Sequence, residues 1–145
     1  MSERAARVVI DTNVFLGALL TDGAANAVIA ACLRGQLLPL MGSTLLAEYE
    51  DILSREPLFA RARLDASERE ELLDIFLSHC VWTPVYFGWR PNLADEGDNH
   101  LVELAVAGRA QTIITRNRHD FARMELRFPA VTLRSPEECL QELTV

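Results

Sequence analysis

Asp11, Glu48, Asp98 and Asn117 stand where chemistry could be assembled. Asp11 closes the apolar run Arg7-Val8-Val9-Ile10, and Asn117 follows Thr112-Ile113-Ile114-Thr115-Arg116. Asp98 heads the helical text that ends at Ala107, and Glu48 sits at the edge of the stripe Leu45, Tyr49, Ile52 and Leu53. Acids brought to one sheet edge repel and raise one another's pKa, a state that persists readily when a cation sits among them. Oxygen donors without His or Cys beside them suit hard ions, Mg²⁺ or Mn²⁺, which keep several waters for a phosphate to replace. Such an ion polarises a phosphodiester and activates a water for in-line attack, so the chemistry implied is phosphodiester hydrolysis. Each residue also has an ordinary structural reading: Asp11 as a helix N-cap, Asp98 as a first-turn acid, Glu48 as a boundary side chain reaching water, Asn117 as a turn residue. Their co-occurrence favours the chemical reading.

The elements that must position them follow from the apolar patterning. Strands are expected over residues 7–10, 37–41, 81–85, 112–115 and 131–133. Helices are expected over 24–33, closing at Arg34-Gly35; from a cap at Ser43 to about residue 55; and from a capping box at Ser67 to about residue 79. A further helix opens at Asp98 and stops at Gly108, and a last one follows Ser135-Pro136-Glu137-Glu138, with Ser as cap, Pro at the first position and Glu closing the box. Residues 57–63 read as a short helix or a loop, and residues 86–97 as a loop. Strands alternating with helices predict a layered α/β fold with a mostly parallel sheet, whose ligand sites lie beyond the carboxyl ends of the strands. On the helix from Asp98 that acid shares the sheet-facing side with Leu101, Val102 and Ala105, while His100 and Glu103 point away. Glu50 and Asp51 face water.

At 145 residues the chain is expected to form one domain, residues 1–145. Its formal charge of -7 argues against a sequence-nonspecific nucleic-acid coat protein. All 14 basic side chains are Arg, and without Lys neither a P-loop nucleotidase nor a phosphoaccepting receiver domain can be built. No G-x-G or G-x-S-x-G occurs, and Cys32, Cys80 and Cys139 are spaced for neither a disulfide framework nor a zinc site, so they read as small buried thiols. No apolar run is long enough for a membrane span and the first residues lack a signal peptide's apolar core, which points to the cytoplasm.

Four segments carry a resemblance: VVIDTNVFLGALL from Val8, LLAEYEDIL from Leu45, LADEGDNHLVELAVAG from Leu93 and TIITRNRHDF from Thr112. In order and spacing they resemble the PIN domain, the fold of the VapC-type toxins of bacterial toxin–antitoxin systems. The family pattern has an Asp after the first strand, a Glu on a helix, an Asp opening a later helix, and an Asp after the fourth strand. Asp11, Glu48 and Asp98 match the first three, and Asp95 resembles a neighbouring acid of the third motif. At the fourth, many members read Thr-Gly-Asp where this chain has Thr115-Arg116-Asn117; Asn keeps a carbonyl oxygen but removes a charge, and Asp120 is placed to compensate. The resemblance implies catalytic Asp11, Glu48, Asp98 and Asn117, metal binding by Asp11, Glu48, Asp98 and Asp95, and supporting roles for Thr12, Asn13, Thr115 and Asp120. It also implies a Rossmann-like three-layer α/β/α sandwich, RNA as substrate, a homodimer and an antitoxin partner.

From Arg109 to Arg134 six Arg stand against two acids, Asp120 and Glu125, and Arg116 and Arg118 adjoin the expected site, where Arg holds phosphate backbones. The competing reading is a solvated face pairing with the acidic residues 48–74. Trp82, Phe87 and Trp89 suit core or dimer surface better than base stacking. Against the nuclease stands an inactive PIN-fold module that docks RNA or protein. A small-molecule phosphatase is disfavoured by the absence of Asp-x-Asp after the first strand and of Lys.

Overall fold

Val8, Val9 and Ile10 are all fully buried, and because neighbours along a strand face opposite ways, this strand is covered on both sides. It is β1 (Ala6–Ile10) of a wholly parallel sheet seen in a computed structural model that describes residues 5–62, 64–85, 99–117 and 130–143. The other strands are β2 (Leu37–Met41), β3 (Val81–Trp82), β4 (Thr112–Ile114) and β5 (Thr132–Arg134), in the order β3-β2-β1-β4-β5. Val8 stands level with Pro39 of β2 and Thr112 of β4, and Ile10 level with Ile114. The strand order reverses at β1, so the carboxyl ends of β1 and β4 flank the crevice where open parallel sheets bind ligands.

The helices are α1 (Thr12–Leu20), α2 (Ala24–Leu33), α3 (Ser43–Leu53), α4 (Ala66–Ser78), α5 (Asn99–Ala107) and α6 (Pro136–Leu143), with a 3-10 turn at Glu56–Phe59. Helix α5 lies over β1, β2 and β4; α2 packs on β2, α1, α4 and α6; and α3 meets both α1 and α5. Leu101, Val102 and Ala105 are the buried side of α5, as its periodicity predicts. These are the layers of an α/β sandwich. Among the described residues no single helix is long and apolar enough to cross a membrane.

Local chemistry moves several boundaries. Helix α2 closes as expected: Gly35 takes a φ of 80° and Gln36 N–H reaches Ala31 O at 2.9 Å. Helix α5 uses the same closure, Ala110 N–H to Ala105 O at 2.8 Å, but Arg109 rather than Gly108 occupies the left-handed position, with φ 62°. Gly108 is reserved for close packing, since a Cβ there would collide with Leu40, and its carbonyl accepts from Arg7 Nη1 at 2.8 Å. The expected cap at Ser67 is corrected to Asp65: its Oδ1 accepts from Glu68 N–H at 2.8 Å while Glu68 Oε1 accepts from Asp65 N–H at 2.9 Å, so the box lies two residues earlier. Ser43 does not cap α3; Gly42 is the cap residue and no side chain bonds the helix end. The box at Ser135 and Glu138 does form, with bonds of 3.1 and 2.9 Å. Strand β3 is two residues, shorter than the expected 81–85, and its described pairing with β2 ends at Thr83 N–H to Met41 O, 2.8 Å. The 3-10 turn is held by Arg69, only 3% exposed, whose guanidinium lies 4.1 Å from the Phe59 ring and bonds Leu64 O and Glu56.

Candidate active site

At Asp11 the backbone is extended and α1 begins one residue later, which puts Asp11 in the N-cap position. Its carboxylate nevertheless makes no bond to the helix backbone. Oδ2 instead accepts from Thr115 Oγ1 at 2.9 Å and, at greater length, from Asn13 Nδ2 at 3.3 Å; Oδ1 accepts from Thr12 Oγ1 at 3.4 Å. Thr115 is wholly buried and Asp11 is 8% exposed. The Thr115 hydroxyl also accepts from Asn117 N–H at 3.0 Å and Asn13 Nδ2 at 3.4 Å, and Asn13 Oδ1 accepts from Arg116 N–H at 3.2 Å. The polar residues after β1 and β4 are thereby stitched together, and the side-chain cap reading of Asp11 gives way to this network. Among the described residues no cationic side chain pairs with Asp11, so neutral dipoles alone meet a nearly buried charge.

Tyr49 fixes α3 to the same edge. Its hydroxyl donates to the carbonyl of Ile10, the residue before Asp11, at 2.7 Å, while its ring stacks on Phe76 and tilts against Phe15. Burial, and after it the charges of Cys80, Asp11, Cys32 and Glu48, push the phenol well above its ordinary pKa, so it stays a donor. Glu48, one residue before this anchor, is partly exposed, and its Oε2 lies 3.0 Å from Nε2 of His100. Here the periodicity needs a correction: His100 does point off the sheet, but α5 packs beside α3, and the side chain turned from the sheet meets Glu48 instead of open water. One of the proposed acids, Glu48, thus has a His beside it, which the helix periodicity does not predict. Only the packing of two helices 52 positions apart reveals it.

Asn117 is exposed and its backbone is tied to Thr115, leaving its amide outside the network. The Arg116 side chain turns to Glu137 of α6 at 3.4 Å, and Arg134 to Glu142 of the same helix at 3.2 Å. The partners of these two arginines are therefore the acids of α6, not the acidic stretch 48–74. Asp95, Asp98, Arg118 and Asp120 lie outside the described residues, as do Phe87 and Trp89. Trp82 is 56% exposed on the edge strand and is not core. Among the described residues no three His, Cys, Asp or Glu side chains converge as a metal site. What Asp11 and Glu48 offer is hard carboxylate oxygen, in Asp11 nearly buried and with no cationic side chain paired to it among the described residues, and that donor chemistry fits a divalent cation of the Mg²⁺ or Mn²⁺ type. The cysteines are free; burial pushes Cys80 up to about 12, Cys139 up to about 11 and Cys32 further still, so they remain neutral thiols.

Comparison with known proteins agrees with this architecture. The family profile described as PIN domain matches residues 7–119, a span that contains the first three motif segments and the fourth as far as His119. No curated protein matches the chain. Among solved structures, VapBC2 from Rickettsia felis, crystallised bound to a DNA fragment from its promoter, aligns with a TM-score of 0.55 at 17% identity, covering 89% of this chain and 98% of that one. PAE2754 from Pyrobaculum aerophilum aligns with a TM-score of 0.58, also at 17% identity, covering 98% of this chain and 93% of that one. Those structures share the fold, the profile match spans most of the sequence, and the chain belongs to the PIN domain family.

Proposed function

We propose that this protein is a divalent-cation-dependent endoribonuclease and the toxin of a toxin–antitoxin pair. The observation that carries the reading is Asp11: a nearly buried carboxylate at the switch point of the sheet, oriented by Thr115, Asn13 and Thr12, with no cationic partner among the described residues. Membership of the PIN domain family and the likeness to a VapBC protein support it. Asp11, Glu48 and Asp98 would hold Mg²⁺ or Mn²⁺, directly or through water, with Asp95 and Asn117 beside them. When bound, the ion would polarise the phosphodiester and activate a water for attack at phosphorus. Thr115, Thr12 and Asn13 keep the Asp11 oxygens in one orientation, Asp120 adds the charge that Asn117 lacks, and Arg116 and Arg118 bind RNA phosphates. The protein acts in the cytoplasm as one domain, pairs with a second copy, and is restrained by an antitoxin.

A second reading, an inactive PIN-fold module that docks RNA or protein, is favoured by Asn117 standing where the family pattern has an acid. Incubation with a mixed single-stranded RNA pool in Mg²⁺, Mn²⁺ or EDTA separates the two. Cleavage that requires the ion supports the nuclease; intact RNA under every condition, or cleavage unaffected by EDTA, overturns it.

A further inference from the structure

We propose that His100 is a positioning residue that fixes Glu48 for cation binding, an inference that rests on the cation-dependent reading above. The two side chains come from different helices, α5 and α3, and meet at 3.0 Å through His100 Nε2 and Glu48 Oε2. The His100 side chain is 15% exposed and that of Glu48 42%, so the imidazole is the walled-in partner and the carboxylate the movable one.

The other ring nitrogen decides what His100 does. Nδ1 is buried and has no hydrogen-bond partner among the described residues. A proton on Nδ1 would be a buried donor with no acceptor, which is more costly than leaving a lone pair unmatched. The neutral ring therefore carries its proton on Nε2, where it donates to Glu48. That tautomer has two consequences. His100 is not itself a cation ligand through Nε2, because ligation there would move the proton to the unpartnered Nδ1. And Glu48, a side chain with three rotatable bonds and one oxygen already engaged, is left with Oε1 free of described partners and aimed from a fixed carboxylate, which suits monodentate binding. An acid oriented by a donor from a neighbouring helix is the arrangement by which outer partners commonly raise metal affinity.

The test is Mn²⁺ binding to the full chain, read as free Mn²⁺ by electron paramagnetic resonance, in the wild type, His100→Leu, His100→Gln and Asp11→Asn. Leu fills the space without a donor; Gln places an amide N–H near the position of Nε2. The expected result is binding about tenfold weaker in His100→Leu, largely restored in His100→Gln, with all variants melting cooperatively in EDTA. Pulsed spectra of the bound wild type should lack the coupling of a directly ligated ¹⁴N. A strong ¹⁴N coupling that disappears in His100→Leu would make His100 a ligand and overturn the assignment. Wild-type affinity in His100→Leu, with affinity lost in Asp11→Asn, would overturn the positioning role alone. Unchanged affinity in Asp11→Asn as well would overturn the cation reading and this inference together.

Discussion

Thr115→Val removes one hydroxyl from a wholly buried position and keeps the shape of the side chain. The hydroxyl is the short donor to Asp11 Oδ2, at 2.9 Å, and the acceptor for Asn117 N–H at 3.0 Å. A hydrogen bond to a charged group contributes about 1.5–3 kcal/mol, and a carboxylate left nearly buried without its best donor loses most of that. The Asn117 N–H lies near the surface, where water can replace the lost acceptor, and adds little. The expected destabilisation in EDTA is about 2–3 kcal/mol, measurable by urea unfolding, or about 6–12 °C in melting temperature for a chain of this size. Because the bond is strong only against a charge, the same substitution in an Asp11→Asn background should cost about 1 kcal/mol. The double-mutant cycle therefore measures a coupling of about 1–2 kcal/mol between residues 104 positions apart. A cost below about 0.5 kcal/mol, or equal costs in both backgrounds, would refute the view that Thr115 holds the Asp11 carboxylate.

Arg109→Gly should raise stability by about 0.5–1 kcal/mol, because Arg109 closes α5 at a φ of 62° that a Cβ disfavours; an unchanged or lower urea midpoint would contradict this. The thiols, buried at Cys32 and Cys139 and half-buried at Cys80, set an alkaline limit. Cys80 has its pKa raised in the folded chain to about 12 by burial, so the stabilisation of its neutral form is complete below about pH 9 and lost as pH climbs from there toward 12. Each such thiol steepens the loss by about 1.4 kcal/mol per pH unit in that window, and Cys80→Ala should flatten the slope measured under reducing conditions; an identical slope would count against it.

The legible parts of this fold are those whose physics is local. The β-branched run Val8-Val9-Ile10, ended by Asp11-Thr12-Asn13, reads as a buried strand, and the bounds of α2 and β2 follow from the Gly35 closure and the apolar run beyond it. The Ser135 box was visible for the same reason, since both partners lie within one turn. The α4 cap was misplaced because two overlapping boxes share that text, and only the chain's entry direction selects Asp65. At the candidate site, Asp11, Thr12, Asn13 and Thr115 are singled out by their places at strand ends and by the family resemblance, and the structure joins them in one hydrogen-bond network. Their hydrogen bonds required the β1–β4 pairing that puts Asp11 N–H 3.0 Å from Ile114 O. His100 and Glu48 join two helices distant in sequence, and Arg116, after β4, meets Glu137 of α6; no local periodicity encodes such contacts. Gly108, the expected helix stop, leaves the left-handed closing position to Arg109, and a Cβ at 108 would collide with Leu40, far away in the chain.

The central claim is that Asp11 serves a cation and not the fold. The most direct test is the single-turnover rate of RNA cleavage in Mn²⁺ by the wild type and by Asp11→Asn, with the urea stability of both measured in EDTA. The account predicts a rate lower by about a hundredfold or more, from the loss of a charged oxygen at the reacting centre, with stability within about 1 kcal/mol of the wild type, since the weaker bond of Asn to Thr115 is offset by removing a nearly buried charge. Cleavage at the wild-type rate by a folded Asp11→Asn would contradict it.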